Sequence, residues 1–215
     1  MMRKNRPASL KEQIYKQVLN DIIEGVYKPS EILNEKPLIE KYGVSKSPVR
    51  DALIELCKEG VLRSHPRYGY GIVRVNEQEI EDIINFRLMI EPLCLRQAMR
   101  QMEPSDIKEL QEFVVINCRT EETVNILQHW ENNKKFHLKL NSYSGNRYCY
   151  SVLEHSMNIL TRAYAQNQWD RWKTTSFNMD CEGHLAIVRY MAAGDTEKAV
   201  DELSKDILNF EEVAY

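Results

Sequence analysis

Ile14, Val18 and Ile22 recur at four-residue intervals, the spacing that lines one face of a helix. Ser9-Leu10-Lys11-Glu12 precedes them with the spacing of a capping box, in which serine and glutamate satisfy each other's orphan amides, and Gly25 closes the helix. The stretch YKPSEIL, residues 27–33, reads as a turn. Asn34 caps a short second helix over residues 35–42, which Gly43 ends. A third helix starts before Val49, with either Ser45 as its cap or Ser47 as cap and Pro48 in the first turn, where proline loses no needed amide. It runs to about Glu59, and Gly60 terminates it. The rhythm then changes. Ile72, Val73 and Val75 favour strands, and Pro66-Arg67-Tyr68-Gly69 offers a tight turn, so residues 61–75 predict two short strands in a hairpin.

From Asn76 onward the pattern is helical throughout, with helices near 77–101, 105–117, 121–142, 147–167, 178–193 and 196–213. Ser144-Gly145-Asn146 and Ala193-Gly194-Asp195 mark the clearest breaks, and Pro92 is positioned to kink the first of these helices. Residues 167–177, with Trp169, Trp172 and Phe177, fit either a helix extension or an aromatic loop. The predicted fold is mainly α: a winged helix-turn-helix over residues 1–75 and an all-helical six-helix bundle over 76–215. At 215 residues the chain is long enough for two such cores.

Composition changes this picture little, but charge changes it more. Hydrophobic residues make up 43% and charged residues 28%, the balance of an ordinary folded protein. No run reaches the roughly 18 apolar residues of a membrane span, and MMRKNRPASLKEQ lacks the apolar centre of a signal peptide, which predicts a cytoplasmic protein. The five cysteines form no CxxC pair and read as reduced, mostly buried thiols. The net charge of −3 hides an asymmetry: residues 1–75 hold 14 Lys and Arg against 9 Asp and Glu, whereas the remainder is strongly acidic. A cationic front points to a polyanion as its partner.

Within that front, the stretch GVSKSPVRDAL places Val49, Ala52, Leu53 and Leu56 on one face of the third helix and Ser45, Lys46, Ser47 and Arg50 around its exposed leading end. A DNA-reading helix needs this division, one apolar stripe seated on the protein and a polar tip in the major groove. Arginine can bond guanine through two parallel hydrogen bonds, which suits Arg50 to reading bases; Lys46, Ser45 and Ser47 suit phosphate. Arg67, Tyr68 and Gly69 would form a wing reaching the minor groove or backbone. The plainer alternative is a solvated cationic first turn.

Residues 10–75 resemble the DNA-binding domain of GntR-type bacterial transcription regulators, through LNEKPLIEKYGVSKSPVRDALIELCKEGVL followed by HPRYGYGIV. The rest resembles the all-helical FCD effector domain of the FadR subfamily, in INFRLMIEPLCLRQA, KKFHLKLNSYSGN and EGHLAIVRYMAAGDTEKAV, and six helices suit its shorter, VanR-like branch. The resemblance places DNA contacts on Lys46, where arginine is commoner, on Arg50 and on the Arg67–Gly69 wing. Glu35-Lys36-Pro37 fills the start of the second helix, where some members carry an arginine, and the resemblance places a further DNA contact on Lys36 in its stead.

Asn133 and His137 lie four apart on one predicted helix face, with His184 and Asp206 on later helices. Metal-binding members of the subfamily carry aspartate and histidine at the first two positions and histidine at the others, so the resemblance implies a site in which asparagine and aspartate replace two ligands. Two His and one Asp suit zinc, nickel or manganese, with Asn133 a weak oxygen donor. The alternative is a buried polar network without metal. An effector, an organic acid by the resemblance, would sit alongside, its carboxylate held by Arg87. Tyr143, Tyr148, Tyr164 and Trp169 are candidates for the cavity wall or simply for packing. The resulting expectation is a non-enzymatic, ligand-responsive repressor that binds a palindromic operator on double-stranded DNA as a homodimer. A metal-dependent hydrolase and a helical adaptor are the alternatives.

Overall fold

The computed structural model of the protein describes residues 9–29, 31–118, 126–168 and 180–214. The chain divides into two compact units, Met1–Arg74 and Val75–Tyr215.

In the first unit, α1 (Leu10–Ile23) begins at Ser9, whose Oγ accepts from the Glu12 amide at 3.2 Å while its own amide donates to Glu12 Oε2 at 2.8 Å. Helices α2 (Glu35–Tyr42) and α3 (Lys46–Lys58) follow, joined through Gly43 in the left-handed conformation. Strands β2 (Leu62–His65) and β3 (Gly69–Ile72) form the hairpin. The stretch expected to be only a turn holds a further strand, β1 (Ile32–Leu33), so the sheet is three-stranded and antiparallel in the order β1-β3-β2. Ile32 lies opposite Gly71 and Leu33 opposite Tyr70. Two residues are too short for an alternating pattern; their strand character comes from the free edge of β3. Ile14, Val18 and Ile22 of α1 meet Leu38, Val49, Ala52, Leu53 and Leu56 in one apolar core, closed by Leu33, Val61, Leu62 and Ile72.

The second unit contains α4 (Glu77–Met99), α5 (Pro104–Cys118), α6 (Ile126–Ser142), α7 (Arg147–Gln168), α8 (Asp180–Ala192) and α9 (Thr196–Ala214). Asn76 caps α4 by accepting from the Glu79 amide at 2.8 Å, and α4 remains helical through Pro92. Its core joins Ile80, Ile84 and Leu95 to Leu110, Phe136, Leu153, Leu160, Ile187, Leu203 and Ile207, one stripe from each helix. The ambiguity over residues 167–177 is settled only at its start, where α7 extends to Gln168; Trp169, Trp172 and Phe177 lie outside the described residues. None of the described helices is long and apolar enough to cross a membrane.

Candidate DNA interface and candidate metal centre

Helix α3 is seated by Val49, Ala52, Leu53 and Leu56, all fully buried. Its opposite face and leading turn carry Ser45, Lys46, Ser47 and Arg50, all exposed. Ser45 occupies the cap position without a side-chain capping bond, and Ser47 Oγ lies 3.4 Å from Asp51 Oδ2. The first-turn amides therefore remain available to an anion.

A residue that sequence reasoning missed organises this tip. Glu35, in the first turn of α2, has Lys46 Nζ 3.1 Å from one carboxylate oxygen and Arg50 Nε 3.8 Å from the other. Tyr70 donates its hydroxyl to that second oxygen at 3.3 Å. Lys46 and Arg50 remain more than half exposed, so these are solvent-screened pairs that a phosphate can displace. The neighbouring Lys36, named from the sequence, is exposed. On the wing, Arg67 has φ 71°, the one positive value at a non-glycine among the described residues. The Tyr68 amide donates to His65 O at 3.0 Å, which closes the turn and leaves the Tyr68 ring 76% exposed. Gly69 follows at φ 122°, where an added Cβ would lie 2.5 Å from the Leu33 carbonyl oxygen.

In the bundle, α4, α6, α8 and α9 bring a chain of charges together. Arg87 Nε donates to Glu91 Oε1 at 2.6 Å, one turn along α4. Glu91 Oε2 lies 2.7 Å from Nδ1 of His137. On the other side of that ring, Nε2 is 3.0 Å from Asp206 Oδ2, and His184 Nε2 is 3.5 Å from Asp206 Oδ1. Arg87, Glu91, His137 and His184 are each at most 3% exposed. Phe136 stacks on His184 at 3.9 Å between ring centroids and holds it in place.

Burial pushes the Glu91 carboxyl up, but Arg87 and His137 outweigh it and hold it below the usual range. Burial likewise opposes a charge on His137, yet Glu91 and Asp206 raise its pKa despite the nearby Arg87. For Asp206, burial is outweighed by the two imidazoles, and the carboxyl is held far down. The cluster is thus built around a carboxylate that stays ionised.

The donor set fits a divalent cation. His137, His184 and Asp206 each offer a ligand atom, all within 4.8 Å of one another. The facing atoms, His137 Nε2, His184 Nε2 and Asp206 Oδ2, are buried and make no hydrogen bond with acceptable geometry, although they lie close together. Glu91 accepts from Nδ1 of His137, so that a neutral His137 would turn its Nε2 lone pair to the centre, the arrangement metal-ligating histidines use. Asn133 lies one turn before His137 on α6 and is buried.

The expected effector residues separate. Arg87 is committed through Nε to Glu91, while its Nη2 is buried without a hydrogen-bond partner among the described residues. Tyr148 does not line a cavity: α7 turns it outward and it is 78% exposed. Tyr143 is half-buried and packs against the bundle core beside Lys139. Tyr164 is fully buried with its ring 4.4 Å from that of Trp130. A narrow recess without room for a water molecule adjoins the centre, lined by Glu91, Cys94, His137, Asn141 and three leucines. Asn141, one turn beyond His137, is 3% exposed, and neither polar atom of its amide has a hydrogen bond of acceptable geometry among the described residues. Sequence reasoning missed Glu91 and Asn141. The signal was present in their four-residue spacing from Arg87 and His137.

A winged helix-turn-helix followed by a helical bundle with a polar centre defines a DNA-binding regulator with a sensing domain. Comparison with known proteins makes that specific. Residues 10–72 match the description "Bacterial regulatory proteins, gntR family" and residues 82–208 match the FCD domain. The chain belongs to the GntR family and carries an FCD effector domain; members of this family are transcriptional regulators, not enzymes. It is 30% identical over 161 residues to the HTH-type transcriptional regulator YdhC of Bacillus subtilis, spanning 73% of this chain and 70% of that one. It is 24% identical to the HTH-type transcriptional repressor GlaR of Escherichia coli, across 90% of each chain. The solved structure of E. coli McbR/YncC superposes with a TM-score of 0.79 at 21% identity, covering 97% of this chain and 98% of that one, a likeness of fold.

Proposed function

We propose that this regulator is a metal-dependent, effector-responsive repressor that binds a palindromic operator as a two-fold dimer. The observation that carries the sensing half is the set of three buried ligand atoms on His137, His184 and Asp206, backed by Glu91. Zinc, nickel or manganese matches two imidazoles and a carboxylate, with Asn133 beside them and the remaining positions left to water or effector. When bound, the ion would polarise and anchor an oxygen of the effector. Arg87, through its unpartnered Nη2, and Asn141 supply donors suited to the carboxylate of an organic acid, for which the narrow recess beside them would have to open.

In the DNA-binding half, Arg50 reads bases, Lys46, Ser45 and Ser47 grip phosphate, and Arg67, Tyr68 and Gly69 form the wing. Lys36 adds a peripheral cation. Effector binding shifts the population between arrangements of differing operator affinity. Footprinting on the DNA flanking its own gene, with and without candidate organic acids, tests the reading. Failure to protect any fragment would return the chain to the adaptor alternative. A metal-free network is the second reading, favoured by the raised pKa of His137, which as a cation balances Glu91 and Asp206. Elemental analysis separates the two, since stoichiometric metal is expected in the first and none in the second, even after incubation with each ion.

A further inference from the structure

Two thiols of the bundle take no part in the centre described above. Cys94 stands on α4 one turn beyond Glu91, is 5% exposed and lines the narrow recess beside His137. Cys149 stands in the first turn of α7 and is half-buried, so solvent reaches it. Both are free thiols.

The turn between α6 and α7 is stapled to α4 next to Cys94. Gln97, one turn further along α4, donates its side-chain amide to Ser144 O at 2.8 Å, and Gln101, a turn beyond that, donates to Tyr143 O. Ser144 Oγ accepts from the Asn146 amide at 3.2 Å, and Asn146 Oδ1 accepts from the Cys149 amide at 3.1 Å. Ser144 is fully buried, so this turn is held between the helices. The bonds fix the start of α7 against α4 and set the Cys149 thiol beside that of Cys94, with the side chains of Asn141 and Ser144 bordering the pair. Burial pushes the Cys94 thiol up, and Cys149 beside it adds to the rise, which makes Cys94 the poorer first nucleophile.

We propose that Cys94 and Cys149 are a modification site that closes reversibly to a disulfide when the protein meets a hydroperoxide. Cys149, as thiolate, attacks one peroxide oxygen from the solvent side. An S–O bond forms, the O–O bond breaks, and the departing oxygen takes up a proton to leave as water or an alcohol. The sulfur is oxidised by two electrons to a sulfenic acid while the peroxide is reduced. The Cys94 sulfur then attacks the sulfenic sulfur: the S–S bond forms, the S–O bond breaks, and hydroxide departs with the Cys94 proton as water. A dithiol reverses the bridge by exchange. The bridge would tie α4 to α7 one turn from Glu91, on the wall of the recess, and its formation requires neither metal nor effector.

Peptide mapping of the full chain tests the proposal. The reduced protein is treated with hydrogen peroxide at about tenfold molar excess, alkylated in denaturant and digested. Two of the five cysteines should escape alkylation, recovered as one linked peptide pair holding Cys94 and Cys149, and dithiothreitol should restore both. A bridge between any other pair, a sulfinic acid at Cys149 with Cys94 still free, or five unreacted thiols would overturn the site. The Cys94→Ser variant should stop at the sulfenic acid of Cys149, trapped by dimedone. In Cys149→Ser, Cys94 should remain a thiol at the same dose, and its oxidation there would overturn the order of attack. The mapping of the unaltered protein decides the site even where a variant fails to fold.

Discussion

Glu91 and His137, 46 residues apart in the chain, meet at 2.7 Å through a carboxylate oxygen and the ring Nδ1. That contact decides which nitrogen of His137 faces Asp206, and so decides what the cluster can hold. Arg87 in turn fixes the carboxylate, so two residues of one helix orient an imidazole on another.

Replacing Glu91 by glutamine removes the charge and keeps the shape. Metal affinity is expected to fall about 10- to 100-fold, the usual cost of losing a partner of a ligating histidine. The substitution also strands the buried Arg87 cation, so unfolding free energy should fall by about 3–5 kcal/mol. Isothermal titration with zinc and urea denaturation read the two effects separately. Unchanged metal affinity would remove Glu91 from the site.

Stripping the ion with a chelator should lower the melting temperature, because a ligand bound only by the native state adds stability. At a free metal concentration of 1,000 times Kd the contribution is about 4 kcal/mol. His137→Ala should melt at the same temperature with and without added metal. A shift that persists in this variant would place the ion elsewhere.

At the DNA interface, Arg50→Ala should cost about 1–3 kcal/mol against the specific operator and relax discrimination at one base. Lys46→Ala should instead weaken binding uniformly and reduce the slope of log affinity against log salt by about one. Fluorescence anisotropy across a salt series distinguishes them. Equal losses on specific and random duplexes for Arg50→Ala would deny it a base contact.

Glu35→Gln should move the two affinities in opposite directions. Its carboxylate competes with phosphate for Lys46 and also aligns Arg50, so removing the charge should strengthen binding to random DNA while lowering the specificity ratio. Competition assays against random duplex measure that ratio directly, and a parallel gain on both sequences would leave Glu35 a simple repellent.

Gly69→Ala should destabilise the winged unit by about 1–3 kcal/mol. The new methyl would lie 2.5 Å from the Leu33 carbonyl oxygen and 2.8 Å from Asn34 Oδ1, at a φ of 122° that alanine avoids. Urea titration followed by circular dichroism gives the change, and a loss below about 0.5 kcal/mol would mean that β1 and the wing can separate without consequence.

What the chain alone determined is local. The four-residue spacing of Ile14, Val18 and Ile22 and the seat of α3 on Val49, Ala52, Leu53 and Leu56 are written in adjacent turns, because a helix repeats every 3.6 residues and its buried face must follow. Ser9 and Glu12 specify their own cap within four residues. The same periodicity marked His137 as a polar residue on a helix face, but it could not say what that face meets. Pairing of Ile32 and Leu33 with β3, the attachment of Lys46 and Arg50 to Glu35, and the outward turn of Tyr148 were decided only by the tertiary structure. So was the convergence of Glu91, His137, His184 and Asp206 from four helices. A helix constrains its own residues through hydrogen bonds four apart, whereas its rotation and depth against another helix follow from how all six apolar stripes close one core.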